Sequence, residues 1–583
     1  MLFSRLAEVF NQLEKTSKRL EMFEILSEFL KKSSKHEIDK VIYLCEENLL
    51  PSFYGIEMGM ADKMAIKAIA SASNKSASEI ESLYKKLGDL GLVAEKILEK
   101  KRIALLKPKA QDITEVYDLL TKIAKTSGEG SVEHKANMLS GLYLNLSPLE
   151  AKYVTRFVLG RLRLGIGDPT IMDSLSKALT GDRMKLRKDI ERAYNLCSDL
   201  GLVGKVLFEK GIPGLKQFKV KLGFPIRMAL AERLATSEDI IKKIGKCAVE
   251  TKYDGLRLQI MKDNEKIEIF SRNHEKMTHM FPDIINGIKN QVKAKTIVIE
   301  GEAVAFNEET SELLPFQVTI TRKRKYDIEA TAKELPLVLF AFDILYLNGK
   351  DLTQEPYFKR TKLLENSIKK GFTIRLAEKI ITDNPKILEK FFEENIEKGA
   401  EGIIAKRLDA EYQAGARNFN WIKLKRSYKG ELQDTVDVVI VGYFRGKGLR
   451  TKLGIGALLG AVYDKKQDEF RTIAKIGSGL TEENWIKLRK MLDEIKTEAK
   501  PKRVDSLIKP DVWISPKYVF TIMADEITKS PMHTCCRHND DIGFALRFPR
   551  IQGWIRDKKP DDATSTYEIE KMFSMQRHVG TKN

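Results

Sequence analysis

The stretch of this sequence best placed to do chemistry is Glu250-Thr251-Lys252-Tyr253-Asp254-Gly255-Leu256-Arg257, in which a lysine is followed two residues later by an Asp-Gly pair. A lysine amine is a nucleophile only when unprotonated, so its surroundings must disfavour the ammonium form. Arg257, a bound metal ion or a basic wall would each do so. Cys247-Ala248-Val249 reads as a short buried strand and Leu256 to Ile260 as the next. Lys252 is therefore expected at a strand end, beside a tight turn in which Asp-Gly supplies unusual backbone angles. Taken alone, the pattern fits a hairpin with a solvated lysine equally well.

Other residues extend the chemistry. Glu302 and Glu401 each adjoin a glycine at the edge of an apolar strand, which suits a hard metal ion or a ribose hydroxyl. Lys423 and Lys425 alternate on one face of the strand Trp421 to Lys425, so both can reach one phosphate. Lys406 ends the apolar run Gly402 to Ala405, and Phe342 offers a ring to a purine face. Each has a plain structural alternative, as a solvated strand end or a core aromatic. No Walker-type phosphate loop accompanies them at a useful position, so a nucleotide here would be a donor to lysine rather than the fuel of a motor.

The order of these segments decides between the readings. After the lysine come SRN (271 to 273), EGEAVAF (300 to 306), FDILYLNG (342 to 349), EGIIAK (401 to 406), WIKLK (421 to 425) and RFPR (547 to 550). In order, spacing and content the series resembles the nucleotidyltransferase motifs of the ATP-dependent DNA ligases of archaeal and eukaryotic replicative type, over essentially the whole chain. The resemblance implies that Lys252 takes AMP from ATP, passes it to the 5′-phosphate of a nick, and that the 3′-hydroxyl then displaces it. It implies that Glu250 contacts the adenine and that Phe342 packs on the base. Arg257, Arg272 and Glu302 would address the ribose and 5′-phosphate. Arg417, Trp421, Lys423 and Lys425 would close the phosphate side; Lys406 is added as a phosphate contact on its chemistry alone, not on the resemblance. Glu401, with Glu302, would hold Mg²⁺, for which Mn²⁺ can substitute. Arg547 and Arg550 would meet the triphosphate tail and Phe548 the nick, so the last domain would swing between two faces of the catalytic one.

These side chains need elements to position them. At 583 residues the chain is too long for one core and suggests about three domains. Residues 1–222 have helical periodicity almost throughout and an internal repeat. Glu57-Met58-Gly59-Met60-Ala61-Asp62 resembles Arg163-Leu164-Gly165-Ile166-Gly167-Asp168, and Asp89 to Val93 recurs as Asp199 to Val203. In each half a glycine turn leads to an aspartate placed to cap the next helix. Open helix N-termini with glycine access are natural phosphate seats, although the same turns serve close helix packing. The resemblance implies a DNA-binding domain using Gly59, Arg161, Arg163, Gly165 and Gly167. Residues 223–428 mix strands and helices as an α+β nucleotidyltransferase domain, and 429–583 read as short strands with one helix, which fits an OB-fold β-barrel. Phe316, followed by Arg322 and Lys323 in a basic run, is implied to press into the minor groove at the nick.

The net charge of +19 favours a polyanionic partner. No apolar run approaches the ~20 residues of a membrane helix, and the amphipathic N-terminus is no signal peptide. Five scattered cysteines make no disulfide framework, so the compartment is expected to be intracellular. A cytoplasmic monomer associated with DNA is expected alongside. His533 to His538 packs four donors too closely to wrap one zinc ion. The basic stretch Lys100 to Lys109 is where relatives can dock a sliding clamp, though no Gln-led clamp box is evident. Thr521 departs from the acidic residue usual in relatives. A capping guanylyltransferase or RNA ligase shares K-x-D-G but lacks the helical domain, and an inactive scaffold would not need the intact lysines and glutamates.

Overall fold

The computed structural model describes all residues except 102–109, 307–313, 315, 323–327, 426–434, 447–452, 538–541 and 578–583. The proposed clamp stretch, Lys323 and His538 thus fall wholly or largely outside the described residues. The chain forms two compact units. One comprises Met1–Glu232, Ile240–Asn384 and Ile404–Ile422, and the other Arg233–Asp239, Pro385–Ile403 and Lys423–Asn583.

In the first unit, the N-terminal region is helical from Phe3–Lys15 to Leu200–Lys216 around one apolar core. The internal repeat is structural. Asp62 begins helix Asp62–Ser73 and Asp168 begins helix Asp168–Thr180, one turn of chain after Gly59 and Gly165, which both take positive φ. The aspartates are not caps as expected. They are the first helical residues, behind Ala61 and Gly167, and neither preceding residue makes a side-chain cap hydrogen bond. Their carboxylates turn instead to a tyrosine and an arginine. Asp62 accepts from Tyr84 (3.1 Å) and pairs with Arg161 (2.9 Å). Asp168 accepts from Tyr194 (2.8 Å) and pairs with Arg227 (3.0 Å). Asp89 and Asp199 do cap, each accepting from the backbone N–H three residues on, at Leu92 and Leu202.

Two sheets follow in the chain. In the first, the strand order is Leu230–Arg233, Arg417–Lys425, Gly402–Arg407, Cys247–Lys252, Lys379–Thr382. The second runs Lys266–Ser271, Leu256–Asp263, Thr296–Ala305, Leu337–Leu347, Lys350–Asp351, with Ile374–Leu376 parallel to Leu337–Leu347. Helices Pro282–Gln291 and Tyr357–Ser367 lie against strand Leu337–Leu347. The helical region joins these sheets through Ser52 Oγ donating to the Asn273 carbonyl (2.9 Å), Ser198 Oγ to the Pro225 carbonyl (2.6 Å), and Phe53 edge-on to Phe224.

The second unit is rich in strands. Strand Val436–Phe444 pairs with Ala457–Asp464, Val512–Ile514 and Val519–Met523; Ala457–Asp464 pairs with Glu469–Ile476, and Val519–Met523 with Arg550–Arg556. A separate hairpin joins Glu526–Ser530 to Gly543–Arg547. Thr521 lies opposite Asp437 and donates to it (2.7 Å), so the carboxylate beside this position comes from the neighbouring strand. Cys535 and Cys536 are buried, and the Cys536 thiol donates to the Thr566 carbonyl of helix Thr566–Arg577.

Candidate active site

Lys252 is the last residue of its strand, and Leu256 opens a strand of the other sheet. The K-x-D-G segment therefore carries the chain between two sheets and is not a hairpin. Neither Asp254 nor Gly255 takes a positive φ. Glycine is required for space: a Cβ on Gly255 would lie 2.3 Å from the Ala303 carbonyl oxygen. Tyr253 fixes the crossing. Its ring stacks on Phe340 at 3.9 Å between centroids, 10° from parallel, and its hydroxyl accepts from the Glu378 N–H.

Strand pairing brings Arg257 opposite Glu302 and Gln259 opposite Glu300. Glu300 is fully buried and accepts from Arg257 Nη2 (2.8 Å), Gln259 Nε2 (3.1 Å) and the Tyr412 hydroxyl (2.9 Å). Arg257 also donates through Nη1 to the Ala229 carbonyl (2.7 Å), so its guanidinium is held from two sides. Glu302 is the neighbouring carboxyl. Burial pushes it up to about 7, against the opposing pull of Lys252, Arg257 and Arg272. Lys252, Asp254, Arg257, Arg272 and Glu302 thus form one electrostatic cluster. An oxygen donor whose ionised form is penalised by burial fits a hard divalent cation, because the cation would restore the charged form.

A second group surrounds Glu250. This buried carboxylate accepts from the Tyr357 hydroxyl and pairs with Lys406 Nζ at 2.6 Å. Lys406 lies 4.2 Å from the Trp421 ring centroid and 4.6 Å from that of Phe342, whose rings meet edge-on. Arg257 approaches the same two rings at 5.4 and 5.5 Å. Helix Tyr357–Ser367 is anchored by a fully buried Arg360–Asp343 pair (2.8 Å), which sets Tyr357 against Glu250. Lys406 is thus a buried ion-pair partner. Arg417 is exposed at the start of its strand. In the second unit, Lys425 pairs directly with Glu401.

The helical residues singled out for DNA are partly engaged within the protein. Arg161 pairs with Asp62 and Arg163 with Asp89 (2.9 Å each), and Gly165 and Gly167 line a cavity of about 390 Å³ with Asp168, Arg227, Asn273 and His274. Arg322 requires correction. It is 2% exposed, bound by both terminal nitrogens to Asp283 (3.0 Å), and donates to the Leu335 carbonyl. A guanidinium so enclosed holds helix Pro282–Gln291 in place and offers nothing to a phosphate. Phe316 opens the short helix Phe316–Thr319. Phe548 is 62% exposed at positive φ (51°), between Arg547 and Arg550, which pair with Glu526 and Asp525.

Sequence reasoning missed Tyr253, Glu300, Tyr357 and Tyr412. Glu300 carried a usable signal, since it stands two residues before Glu302 on the same strand and so shares its side of the pleat. The tyrosines carried none, because a buried hydroxyl's partner is set by tertiary packing.

Comparison with known proteins gives the family. Residues 228–425 match the family profile described as ATP dependent DNA ligase domain, residues 2–176 that of DNA ligase N terminus, and residues 451–558 that of ATP dependent DNA ligase C terminal region. A probable DNA ligase of Dictyoglomus turgidum is 53% identical over 578 residues, covering 99% of this chain and 98% of its own. The chain belongs to the ATP-dependent DNA ligase family. A DNA ligase of Hyperthermus butylicus is 46% identical with the same coverage of both chains. The ligase also shares its fold with the solved structure of Pmar-Lig_Pre, at 19% identity and a TM-score of 0.55, over 95% of this chain and 99% of that one. Among the described residues no helix is long and apolar enough to cross a membrane.

Proposed function

We propose that this ligase uses ATP to seal 3′-hydroxyl/5′-phosphate nicks in duplex DNA through an AMP adduct on Lys252. The observation that carries the reading is the position of Lys252 at the crossing between two sheets, within the cluster of Arg257, Arg272 and Glu302. Attack requires the unprotonated amine, which a cationic site favours. The Lys252 Nζ lone pair attacks the α-phosphorus of ATP, a P–N bond forms, and the bond to pyrophosphate breaks. AMP then passes to the 5′-phosphate of the nick, and the 3′-hydroxyl displaces it to form the phosphodiester. Catalysis of this kind rests on positioning and on cations at the phosphate oxygens.

In this reading Glu250 faces the adenine, Phe342 packs on it, and Arg257, Arg272 and Glu302 meet the ribose and 5′-phosphate. Lys423, Lys425, Trp421 and Arg417 serve the phosphates, and Arg547 and Arg550 the triphosphate tail. Glu302 and Glu401 would hold Mg²⁺ or Mn²⁺, which supplies charge neutralisation at the phosphate when bound. Gly59, Gly165, Gly167, Arg161, Arg163, Lys323, Phe316 and Phe548 address the DNA. The strand-rich C-terminal region serves as an OB-fold barrel, and the protein acts as a monomer inside the cell.

The test is mass spectrometry after incubation with Mg-ATP. One added AMP on Lys252 is expected, lost in Lys252→Ala; an adduct on another side chain, or a labelled Lys252→Ala protein, overturns the assignment.

A further inference from the structure

Arg547 and Arg550 are not bare cations. Glu526 stands directly opposite Arg547 in the hairpin register and pairs with its Nη1. Asp525, the preceding residue, takes Arg550 Nη2 at 2.9 Å, and its own N–H donates to the Arg547 carbonyl (3.0 Å). Two adjacent carboxylates therefore meet both arginines of the segment, with the exposed Phe548 between them. The spacing follows from the fold. Strands Glu526–Ser530 and Gly543–Arg547 form the hairpin, and Arg550 starts the strand that pairs with Val519–Met523, which leads into Asp525. The two carboxylates and the two guanidinium groups are thus set at matching ends of paired strands.

All four side chains keep about a third to a half of their surface in water. Exposed pairs of this kind contribute little to folding and exchange partners at small cost. A triphosphate tail, with several negative charges and acceptor oxygens, is a stronger partner for two guanidinium groups than two single carboxylates.

We propose that Asp525 and Glu526 set the affinity of the ligase for ATP in the first step, by holding Arg547 and Arg550 until the triphosphate displaces them. The carboxylates are positioning residues that stand in for phosphate. They weaken ATP binding by the free energy of the two pairs, and they weaken the binding of the pyrophosphate product by the same factor, because both ligands need the same arginines. Recapture of the arginines then favours product release. The inference rests on the proposed function, in which these arginines meet the triphosphate.

The experiment is single-turnover self-adenylylation of the full chain across ATP concentrations, comparing wild type with Asp525→Asn/Glu526→Gln. The half-saturating ATP concentration is expected to fall about three- to tenfold, with the limiting rate within twofold. Half-saturation by pyrophosphate in the reverse reaction is expected to fall by the same factor. In an Arg547→Ala/Arg550→Ala background the carboxamide pair is expected to change neither value. An unchanged or raised half-saturating ATP concentration in the carboxamide variant, or an equal fall in the arginine-free background, overturns the proposal. Failure of wild type to take up AMP at any concentration would instead overturn the functional reading beneath it.

Discussion

Lys406 and Glu250 form an ion pair of 2.6 Å with each side chain less than a twentieth exposed. Both are motif residues, and each would be costly to bury alone. The pair is tolerated because Tyr357 gives Glu250 a second donor, while the Phe342 and Trp421 rings face the ammonium. Fold and proposed adenine site are thus built from the same charges. Removing one partner leaves the other buried and uncompensated, whereas removing both does not.

Lys406→Met is therefore expected to lower stability by about 3–5 kcal/mol. Lys406→Met/Glu250→Leu should regain most of that loss and still label poorly with AMP. Chemical denaturation and the initial labelling rate together check this; a double variant no more stable than the single would show that the pair is not the cause.

Gly255→Ala should leave the cores intact and impair chemistry. The added methyl meets the Ala303 carbonyl at 2.3 Å, and the crossing must shift, taking Lys252 with it. A displacement of about 1 Å can cost on the order of 100-fold in rate. The measurement is the adenylylation rate at saturating ATP, with a thermal midpoint as control; a wild-type rate would contradict the close approach.

Arg322→Met separates the two roles considered for this residue. Breaking its enclosed pair with Asp283 should destabilise by about 3–5 kcal/mol. The salt dependence of nicked-DNA binding should be unchanged at temperatures where the variant is folded. A lost phosphate contact would instead lower that slope by roughly one.

His274 gives a pH dependence. Burial, together with Arg227 and against the pull of Asp168, holds it down at about 4. Between an unfolded value of about 6.5 and 4, the unfolded chain binds the extra proton, so stability rises with pH across that window. The contribution of neutral His274 is whole above pH 6.5 and lost as pH falls toward 4, by about 3 kcal/mol in all. The difference in urea stability between wild type and His274→Gln should shrink by that amount on acidification; a constant difference would refute it.

The residues proposed for the chemistry were legible because their types are dictated by the proposed reaction. Lys252, Glu302 and Phe342 could be proposed from order and spacing, and the strand end at Lys252 followed from the apolar run before it, whereas Lys406, expected at a phosphate, is a buried ion-pair partner. What the pattern could not convey was the partner of each strand. An Asp-Gly pair between two strands reads locally as a hairpin, and only long-range pairing reveals a change of sheet. Arg322 failed for a related reason. A basic run is normally solvated, and nothing near it in sequence announces Asp283, 39 residues away. The helical repeat was visible, but a first-turn aspartate has the same sequence signature whether it caps its own helix or reaches across to an arginine.

That last distinction bears on how the chain is put together. Asp62 and Tyr84 in the first half of the repeat receive Arg161 from the second half, and Asp168 and Tyr194 in the second half receive Arg227 from the segment beyond it. Each module is completed by a cation supplied by the one synthesised after it. A fragment ending at residue 222 would lack the Arg227 partner of its second aspartate, so truncation there cuts through a finished joint.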